Sequence, residues 1–243
     1  MEDAIVNPPV RRGDKPPIPP WVVMAATAPD LQRLRQRMAL SDDRGEGLYL
    51  SRIYRAAPDG PRYGLVGPFM GAPQAAMLME TLSVWGGAHF LFVGWCGAID
   101  SQLRTGDILL PTSAFIDEGT SRGYGARDDQ VGLPPGGLLN VIRRSLADNN
   151  LSFKEGAVWT TDAVFRETPA KVERFRQQGA LAVEMELSAC MTVARLCKVR
   201  FAAILVVSDE LSDLTWRPGF HDPRFKQACK AVTQTVTTLC QTL

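Results

Sequence analysis

The strongest candidate for acid–base chemistry in this sequence is a carboxylate that follows an apolar run. Residues 201–207 (FAAILVV) have the composition of a buried strand, and Asp209 comes two positions after it. A carboxylate at the mouth of a sheet is partly removed from water, which raises its pKa and makes it a usable proton donor. Ser208 or Asp209 capping the following turn is the simpler local explanation, so both hypotheses stay open here.

A second candidate is the pair Glu184 and Glu186, which precedes the apolar stretch LSACMTVARLC. Two acids separated by one residue do not share a helix face, so we expect one of them to point elsewhere. A carboxylate at this place is either stabilised by the start of the helix or used to accept two hydroxyl donors from a polyol. Local sequence alone does not choose between these roles.

Gly71, Gly94 and Gly97 would allow a ligand to approach the backbone closely. The sequence has no G-x-G-x-x-G or Walker pattern, so it predicts no nucleotide cofactor. Its five cysteines form no CxxC pair and no cluster with histidine, which predicts reduced, mostly buried thiols and no metal site.

The elements that would position these residues alternate between apolar runs and helical patterns, which predicts a single-domain α/β fold with a mixed, mostly parallel sheet flanked by helices. We predict a long loop over residues 116–135 and a turn at Pro58-Asp59-Gly60. The predicted strands cover residues 21–26, 48–56, 63–69, 89–95, 108–111, 156–160 and 201–207, and the predicted helices cover 29–38, 74–85, 138–148, 169–178, 186–197 and 225–243.

Composition narrows the class of partner. Twenty-seven basic and 26 acidic residues give a formal charge of +1, which argues against binding nucleic acid or an anionic membrane. No apolar run reaches the roughly 18 to 20 residues of a membrane span, and the N-terminus lacks the apolar core of a secretory signal, so we expect a cytoplasmic protein. Residues 1–20 hold six prolines and are predicted to be an extended arm, either disordered or lying on a neighbouring subunit, before a domain at 21–243.

Five motifs occur in the order found in one known family. Together they resemble the nucleoside phosphorylase and nucleosidase superfamily, from about Trp21 to the C-terminus, and the resemblance implies the nucleoside phosphorylase-like version of the predicted fold. The motifs are Gly71-Ala72-Pro73 before Met79-Glu80-Thr81-Leu82, Val93-Gly94-Trp95-Cys96-Gly97-Ala98 before Gly106-Asp107-Ile108, Thr160-Thr161-Asp162-Ala163, Val183-Glu184-Met185-Glu186, and Val207-Ser208-Asp209.

The resemblance implies cleavage of the N-glycosidic bond of a nucleoside. Met185 and Glu186 match the ribose-binding pair, and Asp209 matches the acid that protonates the N7 atom of a purine. The base pocket corresponds to residues 160–166, where Val164 aligns with the usual stacking phenylalanine and Phe165 comes one position later. The implied substrate contacts are Glu184, Met185, Glu186, Thr161, Phe165, Arg166, Gly97 and Trp95.

The positions that bind phosphate in the phosphorolytic members are replaced. Ala26 is found where the family has a glycine, and Asp30 and Phe92 are found where it has arginines. Trp95 is found where the family has a serine or threonine. The arginine contributed by a neighbouring subunit would fall between Arg44 and Arg52. In the hydrolytic members the Asp30 position holds the glutamate that activates water.

We therefore favour hydrolysis of a purine nucleoside with Asp209 and Asp30 as catalytic residues, with phosphorolysis as the alternative and a catalytically degenerate nucleoside-binding protein as a third option. Other arginines could replace the lost ones, and Asp30 could simply cap the helix that begins near Leu31. The expected partners are a nucleoside, with water or phosphate as co-substrate. Family members assemble, so we also expect a homo-oligomer.

Overall fold

The apolar runs form the strands of one mixed sheet in a computed structural model that describes residues 4–10, 18–38, 40, 45–55, 63–134 and 136–242. The strands are β1 Trp21–Ala25, β2 Glu46–Leu48, β3 Ser51–Arg55, β4 Tyr63–Gly67, β5 His89–Ala98, β6 Ile108–Asp117, β7 Gln130–Gly132, β8 Lys154–Thr161, β9 Ala180–Glu184, β10 Arg200–Glu210 and β11 Arg217–Pro218. The helices are α1 Ala28–Arg37, α2 Ala72–Val84, α3 Thr120–Gly123, α4 Gly137–Asp148, α5 Pro169–Gln177, α6 Leu187–Cys197 and α7 Pro223–Gln241, with a 3-10 helix at Val164–Arg166.

The centre of the sheet is parallel, as the alternating pattern predicts. β1 pairs in parallel with β4 and β5, and β5 pairs in parallel with β10. β9 then returns to pair with the end of β5 at Gly97 and Ala98, so β5, β10, β6, β8 and β9 form a closed circuit. The open part of the sheet and this closed part meet at β5 and β10, whose carboxyl ends lie side by side.

Helices cover both faces of the sheet, because alternate residues along the buried strands point to opposite sides. On β5, Phe90 and Phe92 pack with α2 and α6, whereas Leu91 and Val93 pack with α1, α4 and α7. A smaller cluster joins Val172 and Phe175 of α5 to the closed part of the sheet. This layered arrangement confirms the predicted fold class.

Three predicted boundaries need correction. The strand predicted over residues 48–56 is interrupted at Tyr49, whose φ of 55° turns the chain between β2 and β3. The predicted loop over residues 116–135 contains the end of β6, α3 and β7. The strand predicted over residues 108–111 continues to Asp117 as β6. The pairing of β6 with β8 shifts in register after Pro111, and this shift accommodates a residue that has no backbone N–H. The predicted turn at Pro58-Asp59-Gly60 lies outside the described residues.

The N-terminal arm contacts its own chain in the part that the structure describes. The indole N–H of Trp85, at the end of α2, donates to the carbonyl oxygen of Pro9 at 2.7 Å. Ile18 is buried, and its N–H donates to the carbonyl of Trp85. Among the described residues, no helix has both the length and the apolarity that a membrane span requires.

Candidate active site

A cleft opens at the carboxyl ends of the central strands and consists of two adjoining cavities. We call the first, of about 610 Å³, the ribose half and the second, of about 520 Å³, the base half, after the parts of a nucleoside that the resemblance implies for their residues. Trp95, Glu184 and Met185 line both halves and mark their border. The ribose half is lined in addition by Ala26, Thr27, Ala28, Leu50, Pro68, Phe69, Met70, Gln74 and Glu186, and the base half by Cys96, Gly97, Val164, Phe165, Glu167, Val183, Ser208, Asp209, Leu211, Trp216 and Phe220.

Glu186 reaches into the ribose half from the residue that precedes α6. Its carboxylate accepts the backbone N–H of Gly71 at 2.6 Å, so the turn before α2 and the start of α6 are joined at the cleft. Gly71 has a φ of 85°, a conformation that glycine adopts without steric cost. Burial raises the pKa of Glu186, and the bond from Gly71 opposes that rise.

Glu184 caps the same helix. One of its carboxylate oxygens accepts the backbone N–H groups of Glu186 and Leu187, each at 2.7 Å, and the other accepts the Thr160 hydroxyl. Burial, followed by the charge of Glu186, raises the pKa of Glu184. The two acids therefore differ in role: Glu184 stabilises the start of α6, and Glu186 faces the ribose half.

Asp209 is presented to the base half by a β-bulge. The pairing of β10 with β5 shifts between Val207 and Asp209, so that Asp209 lies opposite Gly97. The carboxylate lies 2.6 Å from the Ser208 hydroxyl and accepts the indole N–H of Trp216 at 2.9 Å. A Cβ at Gly97 would approach an oxygen of Asp209 to 3.0 Å and Leu211 to 2.7 Å, so a larger residue here would have to displace the Leu211 side chain.

The base half is more aromatic than the sequence indicated. Phe165 lines it with 91% of its side chain exposed, and Val164 lies beside it in the 3-10 helix. Trp216 and Phe220, which sequence reasoning missed, supply further rings from the segment after β10. Their only sequence signal was aromatic character close to Asp209. Glu167 was also missed, although it follows the predicted base-pocket segment directly.

Two predicted substrate contacts lie outside the lining of both cavities. Thr161 is buried, and its hydroxyl accepts the N–H of Ala163 at 3.3 Å, so it shapes the turn after β8. The Arg166 guanidinium donates to the carbonyl of Phe165 at 3.1 Å on the exposed side of the 3-10 helix. Both residues support the segment that carries Phe165 instead of facing the cleft.

Aromatic and apolar groups occupy the region where the resemblance implies phosphate binding. Trp95 stands in the wall of the ribose half beside Ala26, and Phe92 is buried edge-on against Phe69, with ring centroids 5.7 Å apart. None of the described residues that line the ribose half is cationic. Arg52, on β3, donates to the carbonyl of Gly45 at 3.2 Å, and Arg44 lies outside the described residues.

Asp30 requires a correction. It is only 2% exposed and lines neither cavity. Its carboxylate accepts the Thr27 hydroxyl at 2.8 Å and pairs with Arg33, and Thr27 in turn caps α1 by accepting the Asp30 N–H. Burial raises the pKa of Asp30, whereas Thr27, Arg33 and the side chain of Trp95 lower it. Because Thr27, Arg33 and Trp95 already engage the buried carboxylate, we assign Asp30 to the helix start and do not retain it as the base.

Comparison with known proteins identifies relatives of this chain. A family model described as the phosphorylase superfamily matches residues 20–242. A guanosine phosphorylase from Halorubrum lacusprofundi is 30% identical over 160 residues, which span 66% of each chain and so just under two thirds of that relative's length.

Solved structures share the fold at lower identity. A purine nucleoside phosphorylase from Toxoplasma gondii, in complex with immucillin-H, superposes with a TM-score of 0.82 at 14% identity, covering 100% of this chain and 98% of its own. A 5′-methylthioadenosine/S-adenosylhomocysteine nucleosidase from Campylobacter jejuni superposes with a TM-score of 0.76 at 19% identity, covering 91% and 98%. Because the family model spans nearly the whole domain, the chain belongs to the phosphorylase superfamily.

Proposed function

We propose that this protein hydrolyses the N-glycosidic bond of a purine nucleoside. The observation that carries the proposal is the wall of the ribose half, where Glu184 and Glu186 are the charged side chains and Trp95 stands where the resemblance implies a phosphate contact. Glycosidic cleavage builds positive charge on the ribose, so carboxylates on this side stabilise the transition state.

The same wall disfavours phosphate as the nucleophile. Phosphate carries nearly two negative charges and is bound in proteins by paired donors, above all from arginine. Glu184 and Glu186 offer phosphate no positive charge, and none of the described side chains in the wall is cationic. Water needs no such site, because it attacks an anomeric carbon that already carries most of the positive charge.

Purine preference follows from the base half. Asp209 stands at the end of β10 beside the aromatic residues of this half, where the resemblance places the N7 atom of a purine. A proton delivered to N7 makes the base a better leaving group, and a pyrimidine has no equivalent atom. Nucleosides of purines should therefore be cleaved faster than uridine.

Phosphorolysis is the second candidate, favoured by the name of the relative from Halorubrum lacusprofundi, a guanosine phosphorylase. It would require cations from outside the described wall, such as Arg52 or Arg44 of a neighbouring subunit. A nucleoside-binding protein without activity is the third option. The presence of both Glu186 and Asp209 in one cleft argues against it, since binding alone does not need the acid.

Product analysis tests the proposal. The purified protein is incubated with adenosine, guanosine, inosine and uridine, each with and without millimolar phosphate, and the sugar product is identified. We expect free ribose and a rate of base release that phosphate leaves unchanged. Ribose 1-phosphate formed only when phosphate is present would establish phosphorolysis. If no nucleoside releases its base, the third option, a nucleoside-binding protein without activity, would be favoured.

A further inference from the structure

One buried carboxylate outside the cleft, Glu118, has no part in the proposed chemistry. It follows β6 directly, is only 7% exposed and lines neither half of the cleft. In the described part of the chain its partners are N–H and O–H groups, and no lysine or arginine pairs with it. A buried carboxylate without a cation destabilises the fold unless hydrogen bonds compensate for the lost water. The groups that donate to Glu118 therefore show what it holds in place.

Glu118 connects the segment after β6 to the start of α6. Both of its oxygens accept the backbone N–H of Ser121, at 3.1 and 3.0 Å, which closes the turn at α3. One of the same oxygens accepts the Ser188 hydroxyl at 2.9 Å. Because Ser188 is the second residue of α6, the carboxylate fixes the first turn of that helix to the turn at α3.

The wall of the cleft holds Ser188 from the other side. Its backbone N–H donates to the Thr160 hydroxyl at 3.0 Å, and that hydroxyl donates to Glu184. Glu184 also accepts the N–H of Glu186. A continuous set of hydrogen bonds thus runs from Glu118 through Ser188 and Thr160 to the two acids of the ribose half. All five residues are buried, so water does not compete for these bonds.

A second contact joins the same two segments one turn further along α6. The Thr192 hydroxyl lies 3.1 Å from that of Ser121 and donates to the carbonyl of Ser188 at 2.8 Å. The turn at α3 and the first two turns of α6 therefore form one hydrogen-bonded unit. Since Glu186 directly precedes α6, the place of its carboxylate depends on where this unit lies.

We propose that Glu118 is a positioning residue that fixes the start of α6 and so orients the Glu186 carboxylate in the ribose half. This inference rests on the proposed function. Glu118 touches no substrate, and its effect passes through Ser188. In Glu118→Gln the side chain keeps its size, but one of the two atoms that face the Ser121 N–H becomes an NH2 group. Two donors then oppose each other in a buried site, which displaces the unit.

A double-mutant cycle separates this role from general support of the fold. The experiment measures kcat of wild type, Glu118→Gln, Glu186→Gln and the double variant on the purine nucleoside that wild type cleaves fastest. We expect Glu118→Gln to lose about 10-fold or more, since a misplacement of about 1 Å can cost roughly 100-fold. In the Glu186→Gln background the same change should cost less than about 2-fold, because the carboxylate that it misplaces has already been removed.

Ser188→Ala removes the same contact from the other partner and places no new donor in the buried site. It should show the same loss and the same lack of additivity with Glu186→Gln, and it decides the question if Glu118→Gln does not fold. Thr233→Val is the control for a lost buried hydroxyl, since the Thr233 hydroxyl donates to the carbonyl of Cys229 within α7. This control should lower the free energy of unfolding, measured with denaturant, and leave kcat unchanged.

The outcomes separate the two proposals. Losses that multiply in the double variants, or full turnover in both Glu118→Gln and Ser188→Ala, would overturn the positioning role while the proposed function stands. Ribose 1-phosphate as the product would reject hydrolysis alone, because the cycle can be measured on either reaction. Failure of wild type to release base from any nucleoside would reject the proposed function and this inference with it.

Discussion

At the scale of single residues, the cleft is defined by how each carboxylate is hydrogen-bonded, which residue type alone does not reveal. Glu184 and Asp30 both belong to helix starts, where backbone or side-chain donors occupy their oxygens. Glu186 accepts one backbone N–H and lines the cavity. The resemblance predicted Glu186 and Asp209 as site residues, and both line the cleft, but it could not show that Asp30 is buried behind the cleft wall and paired with Arg33.

The first residue-scale prediction concerns Glu186. Glu186→Gln keeps the size of the side chain and removes the charge that would stabilise the ribose as its positive charge develops. We expect the barrier to rise by about 2 to 4 kcal/mol, a loss of roughly 30- to 1,000-fold in kcat. Steady-state kinetics measures this, with Glu173→Gln on the exposed side of α5 as the control. Nearly full turnover in Glu186→Gln would remove this residue from the site.

The second residue-scale prediction concerns Asp30. Asp30→Asn removes the buried partner of Arg33 and weakens the Thr27 contact, so we expect a loss of about 1 to 3 kcal/mol in the free energy of unfolding. Turnover should stay within about 3-fold of wild type, because the carboxylate does not line the cleft. Denaturant unfolding and kinetics on the same preparation measure both effects. A large loss of turnover without a loss of stability would restore Asp30 as the base.

At the scale of elements, the sequence predicted those strands and helices that have a clear apolar run or a helical spacing of apolar residues. The strong apolar runs of β1, β5 and β10 and the amphipathic helices were found close to their true bounds. β9 was missed because its sequence, ALAVE, has little β propensity, and its pairing with β8 and β5 stabilises it. The closed circuit of strands and the bulge at Ser208 depend on long-range pairing, which no local pattern contains.

The junction before α2 gives an element-scale prediction. Gly71 begins α2 with a φ of 85° and donates its N–H to Glu186. In Gly71→Ala the nearest atom to the new Cβ is 3.8 Å away, so the cost is backbone strain of about 1 to 3 kcal/mol. We expect this loss of stability together with at least a 10-fold loss of turnover, since relaxing the strain moves the N–H away from Glu186.

Gly137→Ala is the matched control for the junction before α2. Gly137 begins α4 with a φ of 59°, has open space around a Cβ and lies outside the cleft. This variant should also lose stability but keep its activity. Equal losses of activity in the two variants would show that the Gly71 contact does not position Glu186.

At the scale of the whole molecule, the cleft has one apolar edge that the single chain leaves exposed. Leu50 and Met70 line the ribose half and are 88% and 76% exposed. Apolar side chains grouped in this way beside a cleft are typical of a surface that associates. The arm could contribute as well, since Ile5 and Val6 are exposed.

We therefore predict that the protein is a homo-oligomer in which a second copy covers this edge and closes the ribose half against bulk water. Met70→Glu should weaken association, because a buried contact would then have to desolvate a charge. Light scattering at the assay concentration should show a shift towards monomer, together with a loss of turnover. Val141→Glu, a partly exposed position on α4, should change neither property. A fully active monomer in wild type would contradict the prediction, because the cleft would then work with its apolar edge in solvent.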